Sequence, residues 1–151
     1  MQKKTRTPCV GICSTTYGDE VCRGCKRFYF EVINWNKYDE DEKDAIWRRL
    51  ESLKTQIIYS KIKKINSKKL STKIAELDLK IKTDLNEYCQ IFDLIKLVSE
   101  SFDDLSDFGI TFHDESMNLE ILKRDLEEEL LALSDAHYSK YFKDPLEQKK
   151  A

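Results

Sequence analysis

The chain has 151 residues, of which 40% are hydrophobic and 36% charged, with four glycines, two prolines and a formal net charge of −2. That length suits one ordinary domain, or a small module on a helical body, and excludes two independent enzymatic domains; the composition fits a helix-rich globular protein rather than a β sandwich or a disordered chain. No apolar run approaches the roughly 20 residues that span a bilayer, and "MQKKTRTPCV" leads into cysteines rather than an apolar signal core, so a cytoplasmic protein without membrane contact is expected.

Residues 1–7 are polar and basic and read as a flexible tail. From Pro8 to Cys25, "PCVGICSTTYGDEVCRGC" is punctuated by Gly11, Gly18 and Gly24 and reads as turns. Phe28, Val32 and Trp35 in "KRFYFEVINW" have helical spacing and predict a short helix from Lys26 to Trp35 packed over the cysteines. Asp39 and Glu42 have the Asp-x-x-Glu form of a helix start, followed by Ile46, Leu50, Leu53 and Ile57 in steps of a buried stripe. Ile58, Ile62 and Ile65 extend this pattern, so one long helix is predicted from Glu40 to about Ile65.

A shorter helix is predicted from Thr72 to Lys80 with Ile74 and Leu77 inward, and another after a cap at Asp84, with Tyr88, Ile91, Phe92, Ile95 and Val98 on its apolar face. "SFDDLSDFGITFHDES" interrupts at Gly109. A last amphipathic helix starts around Asn118, lined by Leu122, Leu126, Leu130 or Leu131, Leu133 and His137, and runs into the aromatic "HYSKYF" before Pro145. The expected fold is mainly α: an N-terminal four-cysteine knuckle packed on a bundle of about three to four helices. Residues 8–53 form the module, and 54–151 a helical extension continuous with it.

The spacing Cys9-x3-Cys13-x8-Cys22-x2-Cys25 makes two short chelating pairs joined by a loop long enough to fold back, so four thiolates can converge on one centre. In a reducing compartment such a cluster is expected to hold metal rather than disulfides, and a thioredoxin-like redox pair would need a βαβ context that the sequence lacks. Gly11 and Gly24, inside the two turns, let backbone N–H groups approach the sulfurs. Soft thiolates suit both Zn²⁺ and an iron–sulfur cluster, and spacing leaves that choice open.

"PCVGIC", then "CRGCKR", an aromatic segment ending in Trp35, and "DEDEKDAIWRRL" together resemble the bacterial domain of unknown function 1289, described as small predicted Fe–S proteins. The pattern falls on Pro8, Cys9, Cys13, Cys22, Gly24, Cys25, Trp35, Glu40, Glu42, Arg48, Arg49 and Leu50, covering about residues 7–53. The resemblance implies iron and no particular activity. A closed four-thiolate site leaves no open coordination position, so the expected role is a non-catalytic accessory protein.

Residues 1–80 carry 18 Lys and Arg against 11 Asp and Glu, while residues 81–151 carry 8 against 17. The most basic stretch, Lys54–Lys73, has no acidic residue and contains Lys61, Lys63, Lys64, Lys68 and Lys69. With Arg23, Lys26 and Arg27 it is a candidate nucleic-acid contact, against the plainer reading of a solvated helix face. Phe28, Tyr29, Phe30 and Trp35 beside the knuckle are candidate contacts for a protein partner, which makes an adaptor the leading expectation, nucleic-acid binding the second, and electron transfer to an oxidoreductase the third. Cys89 reads as a small core hydrophobe, and His113 and His137 as structural.

Overall fold

A computed structural model describes residues 6–11 and 13–143; most of the proposed tail, and Pro145, lie outside the described residues. These residues are mainly helical, with five α-helices, α1 (Tyr29–Asn34), α2 (Glu40–Tyr59), α3 (Ser67–Glu76), α4 (Glu87–Val98) and α5 (Leu119–Tyr138), and a two-stranded sheet of β1 (Ile62–Ile65) and β2 (Ile110–Phe112). Among them no helix is long and apolar enough to cross a membrane. They divide into two compact units, one from residues up to 53 together with those from 130 onward, the other from Lys54–Glu129.

The first unit begins with the cysteine segment. A 3-10 turn at Ser14–Tyr17 closes on Gly18, whose φ of +97° requires glycine-like freedom. Val21 and Phe28 then form an antiparallel bridge. Helix α1 starts where the Glu31 carboxylate accepts the Phe28 N–H at 2.9 Å, and α2 starts with the reciprocal bonds of Asp39 and Glu42, at 2.8 and 3.3 Å, that the sequence predicts. Two apolar clusters hold the unit: Val21, Phe28 and Tyr138 with Phe30 and Leu131 against them, and Trp35, Ile46 and Leu50 with Tyr38 and Trp47. The Trp47 indole also donates to the Arg6 carbonyl at 2.7 Å, which ties the start of the segment to α2.

In the second unit α2 ends earlier than the sequence suggests. Ser60 and Lys61 bond back to Ile57 and Ile58, and the chain continues as β1, antiparallel to β2 with Ile62 opposite Phe112 and Ile65 opposite Ile110. Residues 57–65 are rich in β-branched side chains, which favour a pleated surface. The Ile62–Ile65 spacing imitates a helix only because a bulge between Ile62 and Lys64 inserts an extra residue, so two isoleucines three apart face the same side.

Helix α3 starts at Ser67 rather than Thr72 because the Asn66 side chain accepts the Lys69 N–H at 3.1 Å; it buries Leu70 and Ile74 and leaves Leu77 exposed. Asn86, not Asp84, caps α4 by accepting the Cys89 N–H at 2.9 Å. That helix is buried at Cys89, Ile91, Phe92, Leu94, Ile95 and Val98. Asn118 caps α5, whose buried stripe steps through Leu119, Leu122, Leu126 and Leu130 to Ser134 and Tyr138. Leu133 and His137 lie beside that stripe and are only half-buried, because four-residue steps carry it past them.

Gly109 joins the last turn before β2 to the start of α3. Its φ is +75°, its carbonyl accepts the Asn66 N–H at 2.8 Å, and a Cβ there would stand 2.8 Å from the Asn66 Cβ. Gly109→Ala is therefore expected to destabilise the second unit by about 1–3 kcal/mol, read as a lower urea midpoint at unchanged slope.

Candidate metal centre

The four cysteines of the N-terminal segment differ in their surroundings. Cys22 and Cys25 are buried, Cys13 is half-buried and Cys9 is exposed. The tight turn at Cys22 is fixed by two backbone bonds, Lys26 N–H to Cys22 O at 2.8 Å and Cys22 N–H to Arg27 O at 2.9 Å. Closing it places Lys26 at φ +64°, a left-handed conformation that a side chain with a Cβ adopts only under constraint.

Every one of these sulfurs receives a backbone N–H from two or three residues further along. Gly11 N–H points at Cys9 Sγ at 3.4 Å, Thr16 N–H reaches Cys13, Gly24 and Cys25 N–H reach Cys22, and Arg27 N–H reaches Cys25. Side chains add to this set. Cys13 Sγ lies 2.9 Å from Thr15 Oγ1, and the Arg27 guanidinium donates to Cys25 Sγ at 3.2 Å. Donors aimed at sulfur stabilise the thiolate over the thiol.

Burial pushes the Cys22 thiol up, but the N–H groups of Cys25, Ser14 and Gly24, with the Cys25 thiol, outweigh it and bring it down to about 7. The hydroxyls of Thr15 and Thr16 lower Cys13. Burial raises Cys25, with Arg27 opposing it. Because Cys22 ionises below the ordinary thiol value of about 8.5, its thiolate stabilises the metal-free fold fully above that value, and the contribution is lost as pH falls through about 7.

The Cys22 and Cys25 thiols lie near enough to interact, and the charge of Cys22 is felt at Cys13. Even so, among the described residues no three His, Cys, Asp or Glu side chains stand together as a ready metal cage. The donor chemistry of the individual cysteines suits a thiophilic metal.

Around the cysteines, cations and aromatic rings lock the frame. The Arg27 guanidinium lies 4.9 Å from the Trp35 ring centre, with Lys43 at 5.6 Å. Arg49 forms two 2.7 Å bonds to the buried Glu31 carboxylate and stacks 4.0 Å over Phe28. Glu31 and Arg49 are thus positioning residues that sequence reading missed as a pair, since the partners lie 18 residues apart on two helices.

The other candidate residues scatter. Lys26 and Arg27 are buried, at 2% and 3% exposure, which removes both from a phosphate-binding surface: Lys26 Nζ turns back to the Gly24 carbonyl, and Arg27 serves Cys25 and Trp35. Arg23 is exposed and pairs with Asp19 at 3.4 Å. Phe28 and Trp35 are core residues rather than exposed docking positions, because each anchors an apolar cluster; Phe30 is half-buried, and Tyr29 alone of the four is exposed. Lys61 pairs with Glu129 at 2.9 Å, whereas Lys63, Lys64, Lys68 and Lys69 are exposed. Cys89 is wholly buried.

No curated protein and no solved structure matches the chain. Residues 7–54 match the family described as protein of unknown function (DUF1289), over the same stretch that carries the cysteines, Trp35, Glu31 and Arg49. Over residues 7–54, about a third of its length, the chain is similar to the DUF1289 family.

Proposed function

We propose that Cys9, Cys13, Cys22 and Cys25 hold one tetrahedral metal ion, zinc in preference to iron, and that the protein is a non-catalytic accessory protein whose N-terminal module this ion organises. The observation that carries the reading is the set of backbone N–H groups directed at all four sulfurs. Such donors stabilise a thiolate more than a thiol, and the thiolate is the form a metal ligand takes.

Preference for a single ion over a four-iron cubane rests on the short turn that sets the buried Cys22 and Cys25 three residues apart, beside each other. Metal–sulfur bonds of about 2.3 Å in a tetrahedron put ligand sulfurs about 3.8 Å apart. A cubane iron–sulfur cluster assigns each thiolate to a different iron and needs them further apart, whereas a two-iron cluster shares this spacing and is told apart by its labile sulfide. Metal binding is then coupled to closure of the exposed Cys9 end onto the buried Cys22–Cys25 turn. With four thiolates bound, no coordination position is left for water or substrate, which favours a structural role over hydrolysis.

Within this reading, the face offered to a protein partner is Tyr29 and Ile33, one helical turn apart on α1 and exposed at 41% and 70%, in place of the buried Phe28 and Trp35. Anaerobic purification followed by metal analysis and a visible spectrum tests the choice of metal. Colourless protein with one zinc per chain is the expected result. A coloured protein with iron and labile sulfide would overturn the single-ion reading in favour of an electron-transferring cluster.

A further inference from the structure

We infer that the lysine surface of β1 and α3 binds the phosphate backbone of a single-stranded nucleic acid, with Tyr59 as a stacking platform for a base. Lysines of the Lys54–Lys73 stretch fall into two classes. Lys54 and Lys61 are spent on ion pairs with Asp93 and Glu129, at 3.1 and 2.9 Å. Lys63, Lys64, Lys68, Lys69 and Lys73 have no carboxylate partner among the described residues, and the first four are exposed.

The sheet is built to present them. In a regular strand Lys63 and Lys64 would face opposite sides, but the bulge between Ile62 and Lys64 turns both to solvent while Ile62 stays buried. One residue after the strand, the Asn66 cap starts α3 with Lys68 and Lys69 in its first turn. That placement is costly for the helix, because cations are disfavoured at a helix N-terminus. A polyanion relieves it, since phosphates meet both the amines and the positive end of the helix dipole.

Beside these residues lies an open concavity of about 580 Å³, lined by Asn66, Lys68, Lys69, Lys73, Glu76 and Asp107 among others. Tyr59, 67% exposed, sits at the end of α2, four residues before Lys63 and so within about 14 Å of it. Its ring packs edge-on against Tyr88 at 5.5 Å, which holds an otherwise solvated aromatic in place. Lysines following a backbone next to an anchored, exposed aromatic match what a flexible single strand requires and a duplex does not use.

The test is fluorescence anisotropy with the full chain and labelled oligouridine, oligothymidine and a duplex of equal length. Single strands are expected to bind more tightly than duplex, with log affinity falling against log salt at a slope of about −3 for four neutralised phosphates. RNA and DNA arms identify the preferred sugar. Replacing Lys63, Lys64, Lys68 and Lys69 by alanine is expected to weaken binding at least about 10-fold and flatten that slope. Tyr59→Ala should weaken it about 5- to 100-fold with the slope kept. The control Lys37→Ala/Lys80→Ala, at exposed lysines elsewhere, should bind as the parent does. If the quadruple variant fails to fold, Lys63→Gln/Lys64→Gln serves with the same expectation. No binding at low salt, equal binding by the lysine or Tyr59 variants, or a preference for duplex would overturn the inference. Its failure leaves the metal reading untouched, because every substitution expected to weaken binding lies outside the module.

Discussion

Cys22→Ser is expected to cost the protein its metal and the ordered structure of residues 8–35, while residues 54–129 keep theirs. The cysteine segment has little else to hold it: one isolated bridge between Val21 and Phe28, a turn strained at Lys26, and a small apolar cluster around Phe28. A stretch this short lacks the core to fold unaided, so the free energy of metal binding, about 10–16 kcal/mol for structural zinc in small peptides, becomes its folding free energy. Removing one of four thiolates is expected to weaken zinc binding at least about 1000-fold. The serine hydroxyl keeps the shape but is a poor ligand, and Cys22 is the sulfur that receives the most backbone donors. Hydrogen exchange should show lost protection in residues 8–35 with α3 and α4 unchanged. Equal protection in parent and variant would remove the metal from the account of how this segment folds.

Arg49→Met is the second substitution with a large expected effect. Its guanidinium makes both 2.7 Å bonds to Glu31, whose carboxylate is 5% exposed and also accepts the N–H that starts α1. Without Arg49 a buried charge stands unpaired, which typically costs about 3–5 kcal/mol; the lower end is expected because the Arg49 side chain remains 20% exposed. Stacking on Phe28 is lost with it. Urea unfolding should therefore show a much lower midpoint for Arg49→Met, and Glu31→Leu/Arg49→Met should recover part of it because neither charge is left behind. A single variant within about 0.5 kcal/mol of the parent would mean that water replaces the guanidinium and that the pair does not hold α1 to α2.

The turns of the cysteine segment were legible because glycine punctuation is local, with Gly11 and Gly18 at positive φ, whereas among the described residues no three ligand-type side chains stand together as the cysteine spacing had suggested. The helix starts at Asp39 and Asn118 were legible for the same reason, since a cap and the N–H it accepts lie two or three residues apart. The β1–β2 pair was not. Its strands are separated by the whole of α3 and α4, and the bulge gives Ile62 and Ile65 the spacing of a helix face. Only the β-branched run from Ile57 to Ile65 hinted at a strand, and it competed with an unbroken apolar stripe on α2.

Charge was the least legible property. Lys26 and Arg27 look like surface residues in sequence, yet a left-handed turn and a stack on Trp35 bury both; Lys54 and Lys61 look like part of a free basic run, yet acidic partners on distant helices neutralise them. Burial of a long cation depends on a partner far along the chain, which no local pattern records. The same holds for Phe28 and Trp35, whose neighbours Tyr138 and Ile46 lie on α5 and α2.

X-ray absorption at the metal edge of the protein loaded with one equivalent of zinc tests the four-thiolate site most directly. The account predicts a single shell of four sulfurs at about 2.3 Å. A shell containing nitrogen or oxygen ligands, or fewer than four sulfurs, would contradict it.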